Sequence, residues 1–400
     1  MTMNRLIQRM APIDLDTLYK WMTLTIIPLF VLCPWLKSEV FVVYLILFVL
    51  KVRKDGYRRC GLEVVFAVAV MGLAASCIGS GDIMVLKSVG RVARVISLPI
   101  LMSQYRPVRD LHKLLAWMFS ALAVYGLARI IFAPIVSGYS DREYCYLDFY
   151  MNSSVVAFSG YLFFLLMLIR QSGRGCRAVS AANVLVFAYL ILLHGVRASY
   201  LVFLALTPCI LLIECRKRIL LAAVILAASA GLALCGIRLL QPQLMKTAMG
   251  QVRTIADTGS NSGRLLYWRK AVEVFMEHPV NGIGYKRFNR ANVKLPTDEY
   301  VWSFWHAHNE WLGMLAETGV VGSLAWLAFK VRLFLMVLKD RKTLVGAFML
   351  YLLVAFECHN IFESYLFGRT AYVYVYLLLG LGLNQALSRD APALTPEASP

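Results

Sequence analysis

The chain has 400 residues, of which 60% are hydrophobic and only 16% charged. Its mean hydropathy is +0.65. That is too apolar for a soluble globular protein, which carries roughly 45–50% apolar and about 25% charged residues, so the chain reads as one integral membrane domain. The net charge of +18 accompanies no nucleic-acid-binding motif. It is read as the Lys/Arg excess of cytoplasmic loops, and no nucleic-acid partner is expected.

The first apolar stretch, from near Trp21 to Trp35, is followed by no small-residue cleavage site and is read as a first transmembrane helix. A spanning helix needs roughly 17–25 mostly apolar residues. On that window the chain is all-α and polytopic, with about twelve predicted spans. They lie near 18–36, 38–52, 61–79, 83–104, 111–134, 151–169, 178–195, 199–214, 219–239, 309–329, 343–361 and 370–387. The second is short, and the fourth is interrupted by Lys87, Arg91 and Arg94. Cations collect in alternate connections: Arg5, Arg9 and Lys20; Lys51 to Arg59; Arg106, Arg109 and Lys113; Arg170, Arg174 and Arg177; Arg216, Lys217 and Arg218; Lys330 to Lys342. This regularity assigns that side, and both termini, to the cytoplasm.

The organisation that follows is 1–239 with spans one to nine, 240–308 as a large outside loop, 309–387 with spans ten to twelve, and 388–400 as a disordered tail rich in Pro, Ala and Ser. A smaller outside loop, 135–150, is acidic and rich in tyrosine. The nine cysteines are scattered without CxxC or Cys/His metal spacing, and most sit in apolar segments as small hydrophobes.

The large loop is basic although it lies on the side where positive charge is disfavoured. Long loops translocate largely regardless of charge; an anionic ligand at the outer face is the sharper explanation. Within it, SNSGRLLYWRKAVEVFMEHP reads as an amphipathic helix. Arg264, Trp268, Ala271, Val272 and Phe275 are placed on one face, Ser262 as cap and Pro279 as stop. NGIGYKRF follows as a turn containing Tyr285, with Gly282 and Gly284 allowing a tight backbone. His306, His308, Asn309 and Glu310 come next, just before an apolar helix. Two histidines at i and i+2 point to different sides of a helix and HExxH is absent, so no metal is expected. Asp14–Asp16 is a DxD-like match, set aside because it lies on the cytoplasmic tail.

Three blocks in order resemble the O-antigen ligase and polymerase superfamily. They are HGVRASYLVF with Arg197; SGRLLYWRKAVEVFMEHPVNGIGY with Arg264, Trp268, Pro279, Gly282 and Gly284; and HNEWLGMLAETGVVG. The last fits the family pattern of His-Asn, nine residues, Gly, two residues, Gly at His308, Asn309, Gly319 and Gly322. Together they cover about 190–325; the first half of the chain is similar in topology only. The resemblance implies a metal-independent membrane glycosyltransferase at the periplasmic face of the inner membrane, without a cofactor. Its implied donor is an undecaprenyl-diphosphate-linked O-antigen and, for a ligase, its acceptor is lipid A–core oligosaccharide. The short run after the third block favours the ligase over longer protein-glycosylating relatives. A polymerase of the same superfamily is the alternative, and a solute transporter a weaker one, since neither inverted repeats nor matched helix breaks are evident. A receptor or scaffold would leave the Arg–Arg–His set without a purpose.

For such a reaction the catalytic residues are expected to be Arg197 and Arg264, whose planar guanidinium forks suit phosphate oxygens, and His308 as base for the acceptor hydroxyl. Glu310 or Glu317 is expected to orient it. Arg197, Arg264, Lys87, Arg91, Arg94, Trp268, Tyr285, His306, Asn309 and Glu310 are the expected substrate-binding set. Lys87, Arg91 and Arg94 share one stripe and either line a diphosphate cavity or lie in the interface. Glu357, His359, Glu363 and Arg369 form a further cluster near the outer end of span eleven.

Overall fold

The computed structural model describes residues 14–32, 37–137, 150–171, 173–194, 197–215, 227, 231, 258–290, 306–362 and 370–390. In chain order the helices are α1 (Leu15–Leu32), α2 (Lys37–Asp55), α3 (Glu63–Ser80), α4 (Met84–Ile96), α5 (Leu98–Met102), α6 (Leu111–Ser137), α7 (Tyr150–Arg170), α8 (Arg174–His194), α9 (Arg197–Glu214), α10 (Thr258–Glu277), α11 (Glu310–Lys339), α12 (Leu344–Phe362) and α13 (Thr370–Asp390). A helix therefore stands at every expected apolar segment except 219–239, of which only residues 227 and 231 are described; most of 135–150 and the tail after Asp390 lie outside the described residues. By length and composition, five described helices can cross a membrane.

Two segments depart from expectation. The fourth is no single span: α4 and α5 are separated at Ser97, with Pro99 in the first turn of α5. Buried Val85, Ser88, Val89, Val92 and Ile96 form one face of α4, and Lys87 and Arg91 stand exposed on the other.

The second departure is in α11. Its helical path contains Gly319 at φ 60 and ψ −165, a region open essentially to glycine alone. Glu310 and Lys330 lie on opposite sides of that break. A continuous helix would hold residues twenty positions apart about 30 Å from one another. Instead Lys330 Nζ lies 3.0 Å from Glu310 Oε1, and Trp326 Nε1 donates to the same oxygen at 3.1 Å. The chain therefore doubles back at Gly319: a first leg, 310–318, folds against a second leg, 320–339. The expected continuous span 309–329 is corrected accordingly. Lys330, expected in a cytoplasmic loop, is 5% exposed and inside the bundle.

The second leg runs antiparallel to α3. Arg332 Nε donates to Gly61 O at 3.1 Å at one end, and a Cβ on Gly72 would lie 3.4 Å from Gly322 Cα midway. Small residues permit this backbone-to-backbone approach, the usual basis of helix association where lipid removes the hydrophobic incentive. Behind it, Phe119, Phe163, Phe164, Phe187 and Phe348 form an aromatic core between α6, α7, α8 and α12.

One end of the bundle is tied by charge. Arg170 makes a two-pronged contact with Glu214 at 2.9 and 2.8 Å and donates to the carbonyls of Arg341, Lys342 and Thr343. Asp16 accepts from Lys51 Nζ at 2.7 Å and from the Arg106 N–H at 2.9 Å. Asp14 accepts from Thr17 and Asp16, capping α1. The DxD-like match thus has architectural partners.

Candidate functional site

At the opposite end the second and third sequence blocks interlock. A break in a helix orphans carbonyls on one side and N–H groups on the other. Here the 278–290 turn satisfies both sets. Ile283 N–H donates to Ala316 O at 3.1 Å and Gly284 N–H to Glu317 O at 2.8 Å. In return, Val320 N–H donates to Pro279 O at 2.8 Å and Val321 N–H to Val280 O at 3.2 Å. Gly282, at φ 66, lies so close to the Glu317–Thr318 peptide that any Cβ would overlap it.

Glu317 completes the joint. Its carboxylate accepts from the N–H of Lys286 at 2.9 Å and of Phe288 at 3.0 Å. α3 holds the turn from beneath: Ser76 Oγ accepts from Tyr285 N–H at 3.0 Å, and Gly284 rests on Ser80 and Val85. Arg287 pairs with Asp82, whose other carboxylate oxygen caps α4 through the Met84 N–H. Four segments, α3, α4, the turn and the first leg of α11, therefore share one junction.

α10 lies over it. Its buried face is Tyr267, Ala271 and Val274, set against Ala307, Ala316 and Phe288. This rotates the expected face: Val272 is 47% exposed. The helix also begins at Thr258, so Ser262 is inside it and not its cap. Arg264 is half-buried one turn before Tyr267, on the same side of the helix. Trp268 Nε1 is buried without a hydrogen-bond partner among the described residues.

The Tyr267 and His308 rings lie 6.0 Å apart, and the His308 and His306 rings 4.3 Å apart. His308 sits at φ 51, an uncommon backbone state for a non-glycine residue. Its N–H donates to His306 Nδ1 at 3.2 Å, which sets His306 as the Nε2–H tautomer. His306, Ala307, Asn309 and Glu310 are all buried, so His308 alone of this run offers a half-buried imidazole. Strain of this kind persists only where the surroundings over-determine it.

The remaining expected residues separate by partner. Asn309 is the N-cap of α11, its side chain accepting from Leu312 N–H at 3.0 Å. Glu310 is engaged by Lys330 and Trp326, and Glu317 by the turn, so both carboxylates expected to orient His308 are directed elsewhere. Tyr285 is fully buried, and that burial holds its phenol well above the ordinary range, which makes it a packing residue more than a ligand contact. Arg91 lies near enough to influence that phenol, so the cationic face of α4 adjoins the junction. Among the described residues no carboxylate pairs with Lys87, Arg91 or Arg94. The backbone of Arg197 begins α9; its guanidinium lies outside the described residues, as do Glu363 and Arg369.

Sequence reasoning missed Ser76, Asp82, Arg287 and Lys330. Ser76 and Asp82 stand at the end of an apolar run and resemble helix-end punctuation, while Arg287 and Lys330 resemble ordinary loop charges.

Residues 181–327 match the family model described as O-antigen ligase, which supports membership of the O-antigen ligase superfamily. The matched span contains Arg197, Arg264, His308 and the reversal at Gly319. No curated protein matches the chain.

Proposed function

We propose that this member of the O-antigen ligase superfamily transfers O-antigen polysaccharide from undecaprenyl diphosphate to lipid A–core oligosaccharide at the periplasmic face of the inner membrane. One observation carries the reading: a strained, half-buried His308 is braced against the helix that bears Arg264. A base and a cation on one rigid joint are what glycosyl transfer from a diphosphate requires.

In the proposed step, the acceptor hydroxyl oxygen attacks the anomeric carbon of the donor. The bond from that carbon to the diphosphate oxygen breaks, and its electron pair leaves with the diphosphate. His308 takes the hydroxyl proton, a contribution of typically 10²–10⁴-fold. Arg264 and Arg197 neutralise the leaving group, since fixed charges aimed at developing charge need no reorganisation during reaction. Lys87, Arg91 and Arg94 offer a further cationic shelf for the diphosphate. Attack opposite the leaving group inverts the anomeric centre.

The test is transfer by purified protein, in detergent and EDTA, from an undecaprenyl-diphosphate-linked glycan to lipid A–core. Wild type is expected to glycosylate lipid A–core; His308→Ala and Arg264→Ala are expected to lose at least 100-fold in kcat/KM. Lengthening of chains on the polyprenyl carrier would make the protein a polymerase. Retained anomeric configuration would refute direct displacement, and activity abolished by EDTA would refute neutralisation by arginine.

A further inference from the structure

A buried ion cluster centred on Lys330 has no part in the transfer step. Lys330 Nζ sits 3.0 Å from Glu310 Oε1 and 2.5 Å from Glu357 Oε1, so one ammonium serves two carboxylates. Four rings surround it: Trp326 at 5.1 Å, Trp311 and Tyr372 at 5.7 Å, and Phe356 at 6.0 Å from centroid to Nζ. Lys330 and Glu310 are both nearly sealed from solvent, at 5% and 1% side-chain exposure. The three charges come from three pieces of chain: the first leg of α11, its second leg, and α12.

Such a set is costly to assemble in an apolar medium, and an apolar trio of similar volume would hold the same helices at least as stably. Buried charge is best explained by the geometry it selects. Glu310 immediately follows the Asn309 cap and is two residues from His308, whose left-handed backbone turns the chain into the first leg. An ammonium that fixes Glu310 therefore fixes the depth and rotation of the leg from which His308 projects.

We propose that Lys330 is a positioning residue: by clamping Glu310 to Glu357 inside its aromatic cage, it locks the folded-back leg of α11 so that His308 meets the acceptor hydroxyl. The inference rests on the glycosyl-transfer reading above. It assigns Lys330 no contact with substrate.

The test compares wild type, Lys330→Met, Lys330→Arg and Glu310→Gln, each purified in detergent, by transfer kinetics and thermal midpoint. Per folded molecule, Lys330→Met is expected to lose about 100-fold in kcat, the scale of a 1 Å misplacement, with KM for donor and acceptor within threefold. Lys330→Arg is expected to recover most of that loss. A role confined to stability would lower the midpoint and leave kcat per folded molecule at the wild-type value; that result overturns the proposal. Should Lys330→Met fail to fold, Glu310→Gln decides. It keeps the shape and one hydrogen bond but removes the charge, and is expected to lose at least tenfold in kcat. Wild-type kcat in Glu310→Gln overturns the proposal. Absence of glycan transfer in wild type would instead refute the underlying function.

Discussion

Gly319→Ala is the sharpest probe of the reversal in α11. The glycine holds φ 60 and ψ −165, where a side chain costs about 1–3 kcal/mol of backbone strain. An added Cβ would also overlap the Val280 carbonyl and the Asn281 nitrogen. These are backbone atoms fixed by the Val320–Pro279 and Val321–Val280 hydrogen bonds, so relief requires moving the whole 278–290 turn. Overpacking of this sort adds about 1–3 kcal/mol, for a total of about 2–6 kcal/mol. Gly313→Ala is the internal control. It lies within the first leg, where a Cβ would meet only the Ala307 methyl at 3.8 Å, and alanine is favoured over glycine in a helix by about 0.5–1 kcal/mol. Thermal midpoints of the detergent-solubilised proteins should fall by several degrees for Gly319→Ala and hold or rise for Gly313→Ala. A Gly319→Ala midpoint at or above that of wild type would refute the reversal and, with it, the placement of His308 on a folded-back leg.

Glu317→Gln keeps the volume but turns an amide NH2 toward a backbone donor at Lys286 or Phe288; a loss of about 1–3 kcal/mol is expected, read as a lower midpoint and faster proteolysis near Lys286. Replacing Lys87, Arg91 and Arg94 together by Gln should leave the midpoint unchanged while raising KM for the diphosphate donor roughly tenfold and flattening its dependence on ionic strength; an unchanged KM counts against the cationic shelf. Cys60, buried in the connection between α2 and α3, has its thiol pushed up to about 11. It is therefore neutral through physiological pH, with about one molecule in a thousand as thiolate at pH 8. Maleimide labelling of the Cys60 peptide should be slow at pH 8, climb about tenfold per unit toward pH 11, and reach ordinary rates only after unfolding. Rapid labelling of folded protein at pH 8 would contradict its burial.

How much of this was legible in the sequence depends on what kind of signal each feature leaves. Helix positions were legible because each is a long apolar run bounded by charge or turn residues. The HN…G..G spacing and the three blocks were legible as a family pattern, and the structure sets the His308 ring 6.0 Å from that of Tyr267, one turn after Arg264 on α10. The reversal at Gly319 was not, because ETGVVG inside an apolar run looks the same whether its glycine is helical or at positive φ. Lys330 heads a run with Arg332 and Lys339, so it read as the start of a basic loop; only a partner twenty residues back, across the reversal, makes it internal. The face of α10 was misjudged because Tyr267 and Trp268 are neighbours of similar hydrophobicity. Which of them faces inward is decided by Ala307 and Ala316, residues from another part of the chain.

The family spacing has a geometric content that the reversal exposes. The nine residues between Asn309 and Gly319 make a leg of about 13–15 Å. The eleven residues from Gly319 to Lys330 travel back about 16 Å, so the two legs nearly match and Glu310 meets Lys330. Gly322 lies one turn after the reversal, where the second leg passes close to Thr318 and to Gly72 of α3; a larger residue there would push the legs apart. A residue added to the first leg would turn its start by about 100° and advance it by about 1.5 Å, carrying His308 off Tyr267 and Glu310 off Lys330. The two glycines thus set where the chain turns and how tightly, and the nine residues set how far from the turn the histidine stands. On this geometry the spacing is a length and an angle, required because His308 stands at the start of one leg of a hairpin while the helix bearing Arg264 is docked to the same leg from above.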